Sequence, residues 1–138
     1  MEFDPKRDYP LGTRRPDLVF TPSGVPLDEV TLDAARAGRI GAVDIRATPD
    51  TLRRQADIAR AVERAPLAES LERAAELAGV PDEELLAVYT ALRPRRATAG
   101  ELEAWAARLE GYGAVGTAAF VREAAAVYEE RGLLAHGE

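Results

Sequence analysis

Cysteine is absent from the 138 residues; histidine occurs once, at His136, and lysine once, at Lys6. Without cysteine there is no disulfide, no thiolate nucleophile and no sulfur-based zinc site. A single histidine close to a polar end leaves no imidazole pair for acid–base work or metal binding. No apolar run approaches the length of a membrane span, because charged residues interrupt every segment. The start, MEFDPKRDYP, has no apolar stretch of the signal-peptide kind, so the expectation is a cytoplasmic protein without a membrane partner. A net charge of −6 argues against nucleic acid as a main partner. Strand-like alternation of useful length is missing too.

What remains is helical. A hydrophobic share of 46 % and a charged share of 30 % suit one domain with one modest core. TLDAARAG offers Thr31 as N-cap and Gly38 just past the end of a short helix. Thr48 and Pro49 open a longer one, with Asp50 at the positive end of its dipole. Leu52, Ala56, Ala59 and Val62 then form a stripe at spacings of three and four. Pro66 either kinks that helix or opens a second, which repeats the stripe through Leu67, Leu71, Ala74, Ala75 and Ala78. Asp82 reads as the N-cap of the next helix, with Leu85, Val88, Tyr89 and Leu92 inward and Pro94 as its stop. Thr98 and Glu101 stand at capping-box spacing before Leu102, Trp105, Ala106 and Leu109. The last helix, near residues 115 to 131, presents Phe120, Val121, Ala124, Val127 and Tyr128 and stops at Gly132. The expected architecture is all-α: an extended N-terminal arm over residues 1–47 carrying one short helix, a domain of about five helices over 48–133, and a frayed end over 134–138.

The catalytic inventory is thin. Ser23 and Ser70 have no histidine base on an ordered element. GYGAVG, residues 111 to 116, is glycine-rich, yet no strand precedes it and no GK[ST] follows, so it reads as a helix–helix turn. Glu83-Glu84 and Glu129-Glu130 are adjacent pairs, and neighbours on a helix diverge by about 100°. No catalytic, cofactor-binding or metal-binding residue is expected in this chain.

The arm is the unusual part. DYPLGTRRPDLVFTPSGVPLDEVTL, residues 8 to 32, holds Tyr9, Leu11, Leu18, Val19, Phe20, Val25 and Leu27 among four prolines. Ordering such a segment costs on the order of 1–2 kcal/mol per residue in backbone entropy, although proline lowers that cost. It therefore needs a large receiving surface, and short alanine-rich helices offer a poor one.

The same stretch, together with ERAAELAGVPDEELLAVYTALRPRRATAGELEAWAARLE and AAFVREAAAVYEERGLL, resembles the small subunit of coenzyme-B12-dependent diol and glycerol dehydratases. The resemblance runs from about Asp8 to Leu133. Its most specific motifs are DYPL (Asp8 to Leu11), VTL (Val30 to Leu32), RAAEL (Arg73 to Leu77), PDEELL (Pro81 to Leu86), ALRP (Ala91 to Pro94) and AAFVREAA (Ala118 to Ala125). Pro66, Ser70 and Trp105 depart from the family pattern. The resemblance implies an accessory chain of a lyase that converts 1,2-propanediol, glycerol or 1,2-ethanediol to an aldehyde and water. It implies large and medium partner subunits in a dimer of heterotrimers, with adenosylcobalamin bound by those partners and none by this chain. Assembly and stabilisation of the large catalytic subunit would be its role. The expected interface residues are Tyr9, Leu11, Leu18, Phe20 and Leu27 of the arm, with Leu92, Arg93, Pro94, Arg95 and Arg96 of the LRPRR turn. Residence in a bacterial microcompartment stays open.

A free-standing helical adaptor is the alternative. The arm separates the two readings, because an adaptor has no need of a long apolar, proline-punctuated lead.

Overall fold

The computed structural model describes residues 1–137. The fold is all-α: seven α-helices and three 3-10 turns, with no strand among the described residues beyond an isolated bridge between Phe20 and Pro26. Among these residues no helix is long and apolar enough to cross a membrane. The chain divides into two compact units, Met1–Ala75 and a second beginning at Glu76.

The leading segment is not a bare extended arm. It folds into tight turns: α1 (Leu11–Arg14), 3-10 turns at Pro16–Leu18 and Leu27–Glu29, α2 (Leu32–Arg36) and a 3-10 turn at Ala42–Ile45. Three of its prolines open these turns. Pro10 precedes α1, Pro16 is the first residue of its turn and Pro26 precedes the next. A fixed φ near −65° suits the start of a helical turn as well as an extended chain. Thr31 caps α2 by accepting from the Ala34 amide at 3.1 Å, as expected.

Two buried carboxylates hold these turns. Asp8 accepts from the Asp4 amide at 2.9 Å, from Arg7 at 2.7 and 2.8 Å and from Arg15 at 3.3 Å. The Arg7 guanidinium, with the Asp4 amide and Arg15, holds its carboxyl well below the usual carboxylate range. Asp44 accepts from the hydroxyls of Ser23 and Thr21, the latter at 2.8 Å, and from the Gly41 amide at 2.9 Å. Those bonds, the Ser23 hydroxyl foremost, lower its pKa. The segment satisfies its own polar groups rather than waiting for a partner to do so.

Helix α3 (Pro49–Ala61) starts with Thr48 accepting from the Thr51 amide and Pro49 in its first turn. It closes when Glu63 takes φ +59° and the Arg64 amide reaches the Ala59 carbonyl at 2.8 Å. Helix α4 (Ala65–Ala78) then begins, with Pro66 as its second residue. Pro66 therefore separates two helices and kinks neither, since a first-turn proline removes no intrahelical bond. Ala56, Ala59 and Ala68, with Leu71 against them, pack α3 on α4 in the first unit. Arg54 donates to the Leu18 carbonyl at 3.0 Å, which ties α3 to the leading turns.

In the second unit α5 (Asp82–Ala91) takes Pro81 as its N-cap, so Asp82 is the first helical residue and not the cap that the sequence suggested. Pro81 already has the extended ψ that a cap needs, which moves the start back by one residue. Helix α6 (Ala99–Gly111) opens with the reciprocal Thr98–Glu101 box, at 3.2 and 2.8 Å. Helix α7 (Val115–Arg131) ends at Gly132 in the left-handed conformation, φ +66°. The three-residue link between α6 and α7 makes them a helical hairpin. Leu102, Leu109 and Val121 are its largest fully buried side chains, set among Ala97, Ala106, Ala114, Ala118, Val80 and Val88. Trp105 and Tyr128 pack at the margin.

Tyr89 and Phe120, expected inward, are exposed. Val88 and Val121, also expected inward and about 100° round the helix from them, are buried. Of the expected frayed end, Ala135 donates to the Ala97 carbonyl at 2.9 Å; Glu138 lies outside the described residues.

Candidate functional site

No group of described residues is set up to make or break bonds. Ser23 donates to Asp44, whose lowered pKa makes it a poor base. Ser70 donates to the Pro66 carbonyl within its own helix, at 3.1 Å. His136 is exposed near the end of the chain. Among the described residues no three His, Cys, Asp or Glu side chains converge to hold a metal ion. The glycine-rich link before α7 could present amides to a phosphate, but Glu76 already occupies them. Its carboxylate accepts from the Gly116 amide at 3.0 Å and from the Thr117 amide and hydroxyl, both at 2.8 Å. A helix N-terminus that holds a carboxylate of its own chain is satisfied by it.

What the surface does carry is large apolar side chains. In the first unit Tyr9 is 61 % exposed and lies on an open groove of about 680 Å³. Ile58 and Ala59 of α3, Val62, and Leu67 and Leu71 of α4 share that lining, with Lys6, Gln55 and Arg64 as its polar members. Phe20 lines a smaller cleft of about 250 Å³ beside Leu27, Val30 and Ile45. Ile45 is 78 % exposed, and Val43 of the same turn is half exposed. In the second unit Leu86, Tyr89, Val115 and Phe120 are exposed.

The expected interface residues fall into four groups. Tyr9 and Phe20 are at the surface; Leu18 and Leu27 are half-buried. Leu11 is 2 % exposed. It fills the interior of the leading turns and offers a partner no area, because α1 turns its first residue inward. The LRPRR turn lies in the second unit, with Leu92 half-buried against the core and Arg93, Pro94, Arg95 and Arg96 exposed.

Ile45, Val62 and Leu67 are surface residues that sequence reasoning missed, the last two having been placed on an inward stripe. A signal was present in α4. Leu67 and Leu71 share one face while Ala68 and Ala75 share the next, so two faces are apolar and only one can be inside. The alanine face is the buried one.

Residues 5–135 match the family model described as the dehydratase small subunit. The chain belongs to the dehydratase small-subunit family. Within it, the propanediol dehydratase small subunit of Citrobacter freundii is 50 % identical over 125 residues, which are 90 % of this chain and 73 % of that protein. The propanediol dehydratase small subunit of Salmonella typhimurium is also 50 % identical over 125 residues, 90 % of this chain and 72 % of that protein. Family membership makes the chain a subunit of an enzyme, and its described surface carries large apolar side chains.

Proposed function

We propose that this chain is the non-catalytic small subunit of an adenosylcobalamin-dependent diol dehydratase. The complex converts 1,2-propanediol, and by extension glycerol or 1,2-ethanediol, to an aldehyde and water. The observation that carries the reading is 50 % identity over nine-tenths of the chain with propanediol dehydratase small subunits.

The chain's part is assembly. Its partners are a large and a medium subunit, in a dimer of heterotrimers. Tyr9, Phe20, Leu18 and Leu27 of the leading turns, joined by Ile45, Val62 and Leu67, form the apolar contribution to that contact. Fully burying a side chain of this size contributes about 1.5–3 kcal/mol, and a partner that binds only the folded chain stabilises it by mass action.

The residues of this chain do not suit cobalamin. The groove beside Tyr9 is lined by aliphatic side chains, with Lys6, Gln55 and Arg64 as its only charged or amide-bearing members. We therefore assign the cofactor to the partner subunits and route no chemistry through this chain.

Co-purification tests the proposal. A tagged copy recovered from its host under growth on a diol should bring down two larger subunits and adenosylcobalamin-dependent diol dehydration. A chain that elutes folded, alone and without that activity would refute the reading and leave the free-standing adaptor.

A further inference from the structure

We propose that the turn at residues 92–96 is an electrostatic docking point for an acidic surface on one of the larger dehydratase subunits. This inference rests on the subunit reading above.

Several arginines of this chain are matched by its own acids. Arg7 and Arg15 meet Asp8, and Arg60 joins Asp57 to Glu72. Arg108 meets Glu84 at 2.5 Å, and Arg122 lies between Glu103 and Glu110. Arg93, Arg95 and Arg96 are not among these, and they are clustered in one turn. All three are exposed, and among the described residues none forms an ion pair. The chain has an acid surplus, 24 Asp and Glu against 18 Lys and Arg, so this cluster is not left over for want of carboxylates.

The backbone beneath the cluster is fixed. The Tyr128 hydroxyl donates to the Leu92 carbonyl at 2.6 Å, and the Arg96 amide to the Arg93 carbonyl at 3.2 Å. Arg95 has φ +63°, a conformation uncommon for a residue with a side chain. Its amide reaches the Leu133 carbonyl at 2.7 Å, and one residue beyond Arg96 the Ala97 carbonyl accepts from Ala135. Both ends of the turn are thus bonded to α7 or to the segment after it. Three like charges mounted within four residues on a pinned turn repel one another, and an opposing acidic surface relieves that repulsion. Planar guanidinium groups suit paired carboxylates on a protein surface. A polyanion such as nucleic acid would meet the field of a chain carrying −6.

The test uses the full chain co-expressed with the two larger subunits of its dehydratase, comparing wild type with Arg93→Glu/Arg95→Glu/Arg96→Glu. Association of the purified wild-type chain with those subunits should slow as salt rises. The triple variant should associate at least about ten-fold more slowly at low salt and respond little to added salt. Far-UV circular dichroism and melting of the variant should match wild type, because the substituted side chains are exposed. If the triple reversal does not fold, Arg93→Gln/Arg96→Gln carries the same comparison with an intermediate loss. Equal rates and equal salt dependence in folded variant and wild type would overturn the docking point alone. A wild-type chain that recovers neither larger subunit would overturn the subunit reading and this inference with it. Nuclease-sensitive nucleic acid bound by wild type and lost in the variant would overturn the choice of a protein partner.

Discussion

Replacing Leu102 with alanine should destabilise the second unit more than any change at an exposed leucine. Leu102 is 0 % exposed, and its core neighbours are Val80, Val88, Leu109, Val121 and four alanines. Removing its three outer carbons forfeits roughly 2.4 kcal/mol of transfer free energy, at about 0.8 kcal/mol per buried carbon. A cavity term adds to this, and its size depends on how far the surroundings relax. Relaxation is poor at this site. Ala97, Ala106, Ala114 and Ala118 have no flexible atoms to swing inward, and Thr98 with Glu101 fixes the start of α6. The expected loss is therefore in the upper part of the usual Leu→Ala range, about 3–4 kcal/mol. Urea unfolding of the full chain, followed by far-UV circular dichroism, reads it as a lower midpoint with unchanged slope. Leu86→Ala, at a residue 67 % exposed, is the control and should stay within about 0.5 kcal/mol. A loss below about 1 kcal/mol for Leu102→Ala, or equal losses for the two variants, would refute this account of the core.

Glu76→Ala should free the Gly116 and Thr117 amides at the start of α7. A cost of about 1–2 kcal/mol is expected, on the scale of a lost helix cap, with faster hydrogen exchange at those two amides; unchanged exchange would count against it. Acid should loosen the leading turns. Asp8 and Asp44 both have folded pKa values below the unfolded value of about 3.9. Their stabilisation is complete above that value and is lost as pH falls through the folded pKa. Protection of the Asp4 and Gly41 amides, corrected for intrinsic rate, should hold at pH 5 and fall below about pH 4, and Asp44→Asn should flatten the Gly41 response. Tyr9→Ser/Phe20→Ser should weaken recovery of the larger subunits while leaving the far-UV spectrum nearly unchanged; equal recovery would remove the leading turns from the interface.

Helix ends were readable in the sequence because their chemistry is local. Thr48 with Pro49, Thr98 with Glu101, and Gly132 each mark a boundary that the structure keeps. The inward face was harder to read. Alanine-rich helices carry apolar residues around most of their circumference, so Val88 against Tyr89, or Ala68 against Leu67, is decided by tertiary packing rather than by periodicity. The leading turns were the least legible part, since distant residues hold them. Thr21 reaches Asp44 across 23 positions and Leu18 is met by Arg54 across 36. Of the candidate interface, Tyr9 and Phe20 could be recognised as apolar residues outside any long helix. Val62 and Leu67 are left at the surface because the alanine faces are the buried ones.

The small core and the apolar surface have one physical cause. Alanine at Ala97, Ala106, Ala114 and Ala118 lets the elements of the second unit approach closely. Close approach leaves no volume between them for Tyr89 or Phe120, which are displaced outward. The same holds in the first unit, where Ala56, Ala59 and Ala68 meet and Val62 and Leu67 remain in water. Substituting a buried alanine by a larger residue would not recruit those side chains to the interior; it would force the helices apart, as overpacking does, at about 1–3 kcal/mol. The apolar free energy left at the surface can be realised only by an external neighbour, so the chain's stability should rise with the concentration of its partner.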